Sequence, residues 1–159
     1  MLELRKITND NVWKICALSV HDHQSEFVAD NKTSIAEAYA TVNEGHAALP
    51  LGIYDGDTPI GFVMIGKGAI DDDESEMMKK SYCLWRFMID KRYQKKGYGL
   101  QALDAVMALV RTYPFGKADK IWLSYEPENV RAKEIYRKYG FVENGEVCDG
   151  ETVAVMDIR

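Results

Sequence analysis

Apolar and polar positions alternate from Leu2 to Thr8, after which Val12, Ile15 and Leu18 recur every third residue behind Asn9-Asp10-Asn11. Alternation fits a strand, and a recurrence of three behind capping side chains fits a helix. Ser34-Ile35-Ala36-Glu37 has the spacing of a capping box, in which each side chain satisfies an orphan backbone donor, and so predicts a second helix from Ile35 to about Asn43. Leu51 to Tyr54 and Ile60 to Ile65 are apolar runs on either side of Asp55-Gly56-Asp57-Thr58-Pro59. Asp-Gly is a strong turn signal, so this stretch reads as a β-hairpin.

Further along, Tyr82 to Ile89 reads as a strand and Leu100 to Thr112 as an amphipathic helix, with Leu103, Val106, Met107 and Val110 on one face before Tyr113-Pro114 ends it. Ile121 to Tyr125 is a second central strand, and Asn129 can cap a short helix that closes at Tyr139-Gly140. Two extended stretches follow around Asp149-Gly150, the last from Thr152 to Ile158. The resulting order, βαα-ββ-β-α-β-α-ββ, implies an α/β (α+β) fold whose mixed sheet carries helices on both faces. Its two central strands are expected to run parallel through a crossover. The run Asp71 to Glu76 repels itself and reads as a solvated loop, and 159 residues suit a single domain spanning 1–159.

Charge and cysteine usage narrow the function classes. A net charge of -5 is wrong for a general nucleic-acid surface, which needs clustered Lys and Arg, and it suits a cationic partner better. Cys16, Cys83 and Cys148 form no Cys-x-x-Cys pair, so neither a disulfide framework nor a zinc site is suggested. Met1-Leu2-Glu3-Leu4-Arg5 does not read as a signal peptide, and no apolar run approaches the roughly 18 residues that span a membrane. The expectation is a cytoplasmic protein without membrane association.

Between the strand at Tyr82 to Ile89 and the amphipathic helix lies Gln94-Lys95-Lys96-Gly97-Tyr98-Gly99. Two glycines one residue apart let backbone turn tightly and approach a ligand, and the helix start behind them offers unpaired N–H groups to an anion. Gly97-Tyr98-Gly99-Leu100-Gln101-Ala102 also satisfies the dinucleotide pattern G-x-G-x-x-A, with Asp119 at the customary distance. Asp119 precedes the strand Ile121 to Tyr125 instead of ending it, however, and Asp90 to Lys96 separate the first strand from the first glycine. No Walker A sequence is present. A plain turn remains the simplest alternative.

Arg86-Phe87-Met88-Ile89-Asp90, then Gln94-x-x-Gly97-x-Gly99, then Asn129-x-x-Ala132-x-x-x-Tyr136-x-x-x-Gly140-Phe141, taken together, resemble the GNAT superfamily of acetyl-CoA-dependent N-acetyltransferases. The resemblance covers residues 82–142. It implies acetyl-CoA as cosubstrate, no metal, and a fold in which the two parallel central strands splay apart. It also implies that Gln94, Lys95, Lys96, Gly97, Tyr98 and Gly99 hold the pyrophosphate, that Met88 and Ile89 pair with the pantetheine, and that Asn129 contacts the same arm. Tyr136 would then be the general acid that protonates the departing thiolate. Helical geometry agrees with this, because positions 129, 132, 133 and 136 share one side, and a phenol with a pKa of about 10 stays protonated at neutral pH. The plainer roles are an N-cap for Asn129 and core packing for Tyr136.

The general base is left open. Many members of the superfamily carry Glu on the strand before the glycine loop, and Cys83-Leu84-Trp85-Arg86-Phe87 offers none, which leaves Glu126 as a candidate acting through water. Phe27-Val28-Ala29, Ser34 to Ala38 and Leu84 to Ile89 resemble bacterial spermine/spermidine acetyltransferases, which implies a small-molecule polyamine acceptor. Glu26, Glu37 and the Asp71 to Glu76 run would attract a polycation, and Trp85 could offer it a cation–π face. Peptide N-termini, amino acids, aminoglycosides and a non-catalytic CoA sensor are the alternatives. His21-Asp22-His23 lacks a third ligand for a metal, no Gly-x-Ser-x-Gly elbow exists, and Cys83 in an apolar strand reads as an inert thiol. The exposed edge of so small a sheet makes a homodimer plausible on sequence grounds.

Overall fold

The computed structural model describes residues 1–69 and 71–159. It contains seven strands and five helices, arranged in sequence as β1 (Glu3–Lys6), α1 (Val12–Cys16), α2 (Asn31–Asn43), β2 (Ala47–Asp55), β3 (Thr58–Lys67), α3 (Glu76–Lys79), β4 (Tyr82–Ile89), α4 (Tyr98–Val110), β5 (Lys120–Tyr125), α5 (Val130–Tyr139), β6 (Val142–Cys148) and β7 (Glu151–Asp157). Single 3-10 turns lie at Asp22–Gln24 and Lys91–Tyr93. The strands form one mixed sheet in the order β1-β2-β3-β4-β5-β7-β6, in which β4 and β5 are the parallel pair.

Helices cover both faces, as their apolar stripes demand. On one side Ile15 of α1, Leu18 just beyond it and Ala38 of α2 pack on Phe62, Met64 and Met88. On the other, Leu103, Val106 and Met107 of α4 bury against Ile53, Val63, Leu84, Ile121 and Leu123, with Ile135 and Tyr136 of α5 against the same core. The alternation along β5 therefore divides Ile121, Leu123 and Tyr125 from Trp122 and Ser124.

Two features of the sheet create the cleft. The ladder between β4 and β5 consists of Tyr82↔Ile121 and Cys83↔Trp122, after which the strands diverge. Opposite Met64 and Ile65 the register of β4 skips Trp85, so Trp85 is the additional residue of a bulge. Leu84 and Phe87 thereby reach one core while Trp85 and Met88 reach the other.

Several expected boundaries move. The second helix begins at Asn31 because Asp30 Oδ1 accepts the Thr33 amide at 2.7 Å, which makes Asp30 the N-cap. Ser34 is therefore a fully buried interior residue, and Glu37 turns to Arg86 instead of closing a capping box. The acidic run is not a loop throughout, since Ser75 caps the single-turn α3 and leaves Glu76 inside it, within 3.6 Å of Lys79. The hairpin strands are longer than their apolar runs, and α4 begins two residues early at Tyr98.

Candidate active site

The chain leaving β4 is anchored before it reaches the glycines. Asp90, 1% exposed, accepts the Ser19 amide at 2.9 Å and both the amide and Nε of Arg92, at 3.0 and 2.7 Å. Burial alone would raise its pKa, but these donors outweigh burial and hold the carboxyl below its ordinary value. Four residues on, Gln94 donates to the Ile89 carbonyl at 2.9 Å, exchanges two hydrogen bonds with the amide of Gln24, and accepts from Arg131 at 3.1 Å. Its side chain thus ties together the end of β4, the 3-10 turn at Asp22–Gln24 and α5. Tyr98 is likewise an anchor, donating its phenol to Asp55 of the hairpin at 2.8 Å.

Between those anchors the backbone borders an open cleft. Lys95 and Gly97 adopt left-handed conformations, with φ of 62° and 81°, and no side chain caps α4. The amides of Tyr98, Gly99 and Leu100 consequently have no partner among the described residues and form an anion-favouring helix start. A Cβ at Gly97 would meet nothing, and one at Gly99 only Ile135 Cδ1 at 3.7 Å, an ordinary contact. Internal packing therefore does not require glycine at position 99. Lys96 lies with Nζ 5.8 Å from the centre of the Tyr93 ring.

Across the cleft, α5 brings two side chains to the same opening. Asn129 caps it through Oδ1, which accepts the Ala132 amide at 3.3 Å, while its Nδ2 has no partner within the described residues. Tyr136 is gripped by rings: Tyr125 stacks at 6.0 Å between centroids, Phe141 meets it edge-on at 5.9 Å and Phe87 is tilted at 6.3 Å. Its hydroxyl makes no hydrogen bond among the described residues, and burial of the ring pushes the phenol pKa up. Met88 and Ile89 line the opening on the β4 side, where the strand has no β5 partner beyond Cys83.

All ten expected positions except Lys96 border a single cleft of about 1200 Å³. Residues outside those ten border it too, Glu126, the candidate base, among them. Arg131 carries a positive charge beside Gln94 on the α5 side, and on the opposite sheet face stand Ser124, Glu126, Glu151 and Arg86. Glu151 accepts from Ser124 Oγ at 3.3 Å, and burial raises its pKa. Arg86 pairs with Glu37 at 3.1 Å and stands 5.7 Å from the Trp85 ring, so the Trp85 face is already shared with a cation. Burial pushes the Cys83 thiol up as well, as an inert thiol would have it. Among the described residues no group of three or more His, Cys, Asp or Glu could hold a metal ion, and His21 and His23 stack on each other at 5.6 Å. No described helix is long and apolar enough to cross a membrane.

The arrangement has known relatives. The spermine/spermidine N(1)-acetyltransferase of Bacillus subtilis (strain 168) is 32% identical over 161 residues, covering 99% of each chain. In fold, the chain is similar to aminoglycoside acetyltransferase AAC(6')-Ib in complex with coenzyme A, with a TM-score of 0.78, 21% identity and coverage of 99% and 95%. It is similar also to spermidine N-acetyltransferase from Vibrio cholerae in complex with CoA and spermine, with a TM-score of 0.70, 19% identity and coverage of 98% and 95%. The model of the acetyltransferase (GNAT) family matches residues 6–141, and with a full-length relative above 30% identity the chain belongs to that family.

Proposed function

We propose that this single-domain protein transfers the acetyl group of acetyl-CoA to a primary amine of a polyamine such as spermidine or spermine, by direct attack in a ternary complex. The observation that carries the reading is the two-sided cleft: unpaired helix-start amides on one side and carboxylates on the other. The pyrophosphate would rest on the backbone of Lys95, Gly97, Tyr98 and Gly99, with Lys96 and Arg131 adding charge. Gln94 contributes by fixing the loop, since its side chain is already engaged. Met88 and Ile89 would pair with the pantetheine, although the Ile89 carbonyl is occupied by Gln94, which leaves the ligand other main-chain groups of β4. The free Nδ2 of Asn129 would donate to the same arm.

Tyr136 would supply the proton to the departing sulfur. Its ring is fixed, its hydroxyl is uncommitted, and its raised pKa keeps it protonated throughout the neutral range. Carboxylates at Glu26, Asp71, Glu126 and Glu151 along the cleft would hold the cationic acceptor. The relative that is 32% identical is named for spermine and spermidine, which favours a polyamine over a peptide or an aminoglycoside. The same proposal places the enzyme in a reducing cytoplasm, compatible with its three free cysteines, and pairs it into a homodimer through an exposed sheet edge.

Thiol release from acetyl-CoA is the test, measured with spermidine, spermine, an N-terminal peptide and kanamycin. Release with the polyamines at the highest kcat/KM is expected. Release confined to peptide or kanamycin would discard the polyamine, and CoA binding without release for any amine would discard catalysis. Sedimentation at micromolar concentration tests the dimer.

A further inference from the structure

We propose that Glu151 takes the proton from the attacking amine, on the face of the sheet opposite Tyr136; this rests on the amine acetyltransfer proposed above. The position follows from strand alternation. Tyr125, against which Tyr136 stacks, and Ser124, which holds Glu151, are consecutive on β5 and so point to opposite faces. Beyond Cys83 the gap between β4 and β5 connects those faces. An amine adds to one face of the planar thioester, and the sulfur lies within that plane. A thioester seated in this gap with its sulfur toward Tyr136 on the α5 side would leave one face of its carbonyl open to the Glu151 side.

The surroundings of Glu151 suit proton acceptance. Burial raises its proton affinity, with Glu126 and Asp149 adding to the rise, while the Ser124 hydroxyl, which aims the carboxylate, and Arg86 oppose it. Among the described residues these are the charged groups that act on it, from β4, the residue just past β5 and the β6–β7 turn. Glu126 borders the same space, but its carboxylate makes no hydrogen bond or ion pair among the described residues that would fix it. A carboxylate with raised proton affinity is the better base at neutral pH, because a base is most effective with its pKa near the working pH.

The proton balance closes. The acceptor arrives as an ammonium ion and gives one proton to Glu151, directly or through one water. The freed nitrogen lone pair forms the C–N bond, and the carbonyl π pair moves to oxygen. When that pair returns, the C–S bond breaks, its electrons go to sulfur, and Tyr136 protonates the thiolate. The new amide nitrogen loses its second proton, which replenishes Tyr136 through solvent, and Glu151 returns its own to solvent. One proton is released per turnover.

The inference is tested with Glu151→Gln, which keeps the volume and can still accept from Ser124. With spermidine, kcat is expected to fall about 100-fold. The wild-type acid limb, set by a carboxylate above its ordinary range, is expected to give way to a rate that climbs tenfold per pH unit as free amine accumulates. CoA affinity is expected to stay within twofold, which verifies the fold. Wild-type kcat with an unchanged pH profile would overturn the assignment, as would the same loss and altered profile in Glu126→Gln but not in Glu151→Gln. Should the Gln variant lose CoA binding, Glu151→Asp serves instead, with a tenfold loss and a retained acid limb expected and wild-type kcat overturning. Absence of thiol release from the wild type with every amine would defeat the acetyltransfer reading itself, a result distinct from all of these.

Discussion

Tyr136 owes its position to three aromatic neighbours and its availability to a hydroxyl without a hydrogen bond among the described residues. Phenylalanine would keep the packing and remove the proton donor. Tyr136→Phe is therefore expected to lower kcat by about 100-fold or more while CoA affinity changes less than twofold, read from thiol release and titration calorimetry. Because burial raises the phenol pKa, the wild-type rate should show no loss from tyrosine ionisation between pH 7 and about pH 10. Gly99 makes the complementary case. An added methyl is tolerated within the protein and alanine favours the helix by about 1 kcal/mol, so Gly99→Ala should match or exceed the wild-type melting temperature. If backbone there lies against a diphosphate, the same change should weaken CoA binding at least tenfold; unchanged affinity would remove Gly99 from the site.

At the scale of the element, the segment from Asp90 to Gly99 works as one braced unit. Asp90 fixes its first turn, Gln94 its middle and Tyr98 its end. Asp90→Asn removes a buried charge that accepts three donors and should destabilise the fold by about 1 to 3 kcal/mol at pH 7. The sign with pH follows from the depressed folded pKa. The contribution is complete above the unfolded carboxylate value of about 4 and is lost as pH falls through the lower folded value, so wild type and variant should converge in acid denaturation melts. The bracing was invisible in the sequence, where Gln94 and Tyr98 read as ligand contacts, because Gln24, Asp55 and Arg131 reach them only through tertiary structure. Strand Tyr82–Ile89 and the Asn129 cap were legible, since each rests on local alternation or a local oxygen. Ser34 misled for the same local reason: its capping-box spacing is genuine, but Asp30 lies nearer to where tertiary packing begins the helix. Glu151 followed a turn in an otherwise ordinary strand, and only the β5–β7 register, Tyr125 opposite Thr152, brings it beside Ser124.

For the molecule as a whole, the charge of -5 gains meaning from its distribution, with Glu26, Asp71, Glu126 and Glu151 bordering one cleft. Attraction of a polycation to such a cleft is screened by salt, over about 10 Å at 0.1 M. KM for spermine should therefore rise several-fold between 50 and 300 mM salt, and KM for a monoamine should rise much less; equal responses would argue against electrostatic capture. The two-rung junction between β4 and β5 carries a further consequence. Mechanically the sheet is two smaller sheets, β1 to β4 and β5 to β7, linked by those rungs and by the crossover through α4. A molecule lying in the gap would act as a splint between them. Saturation with CoA should therefore slow amide hydrogen exchange on both inner strand margins together and merge any separate melting of the halves into one transition. Exchange on β1 and β6, at the outer margins, should scarcely change.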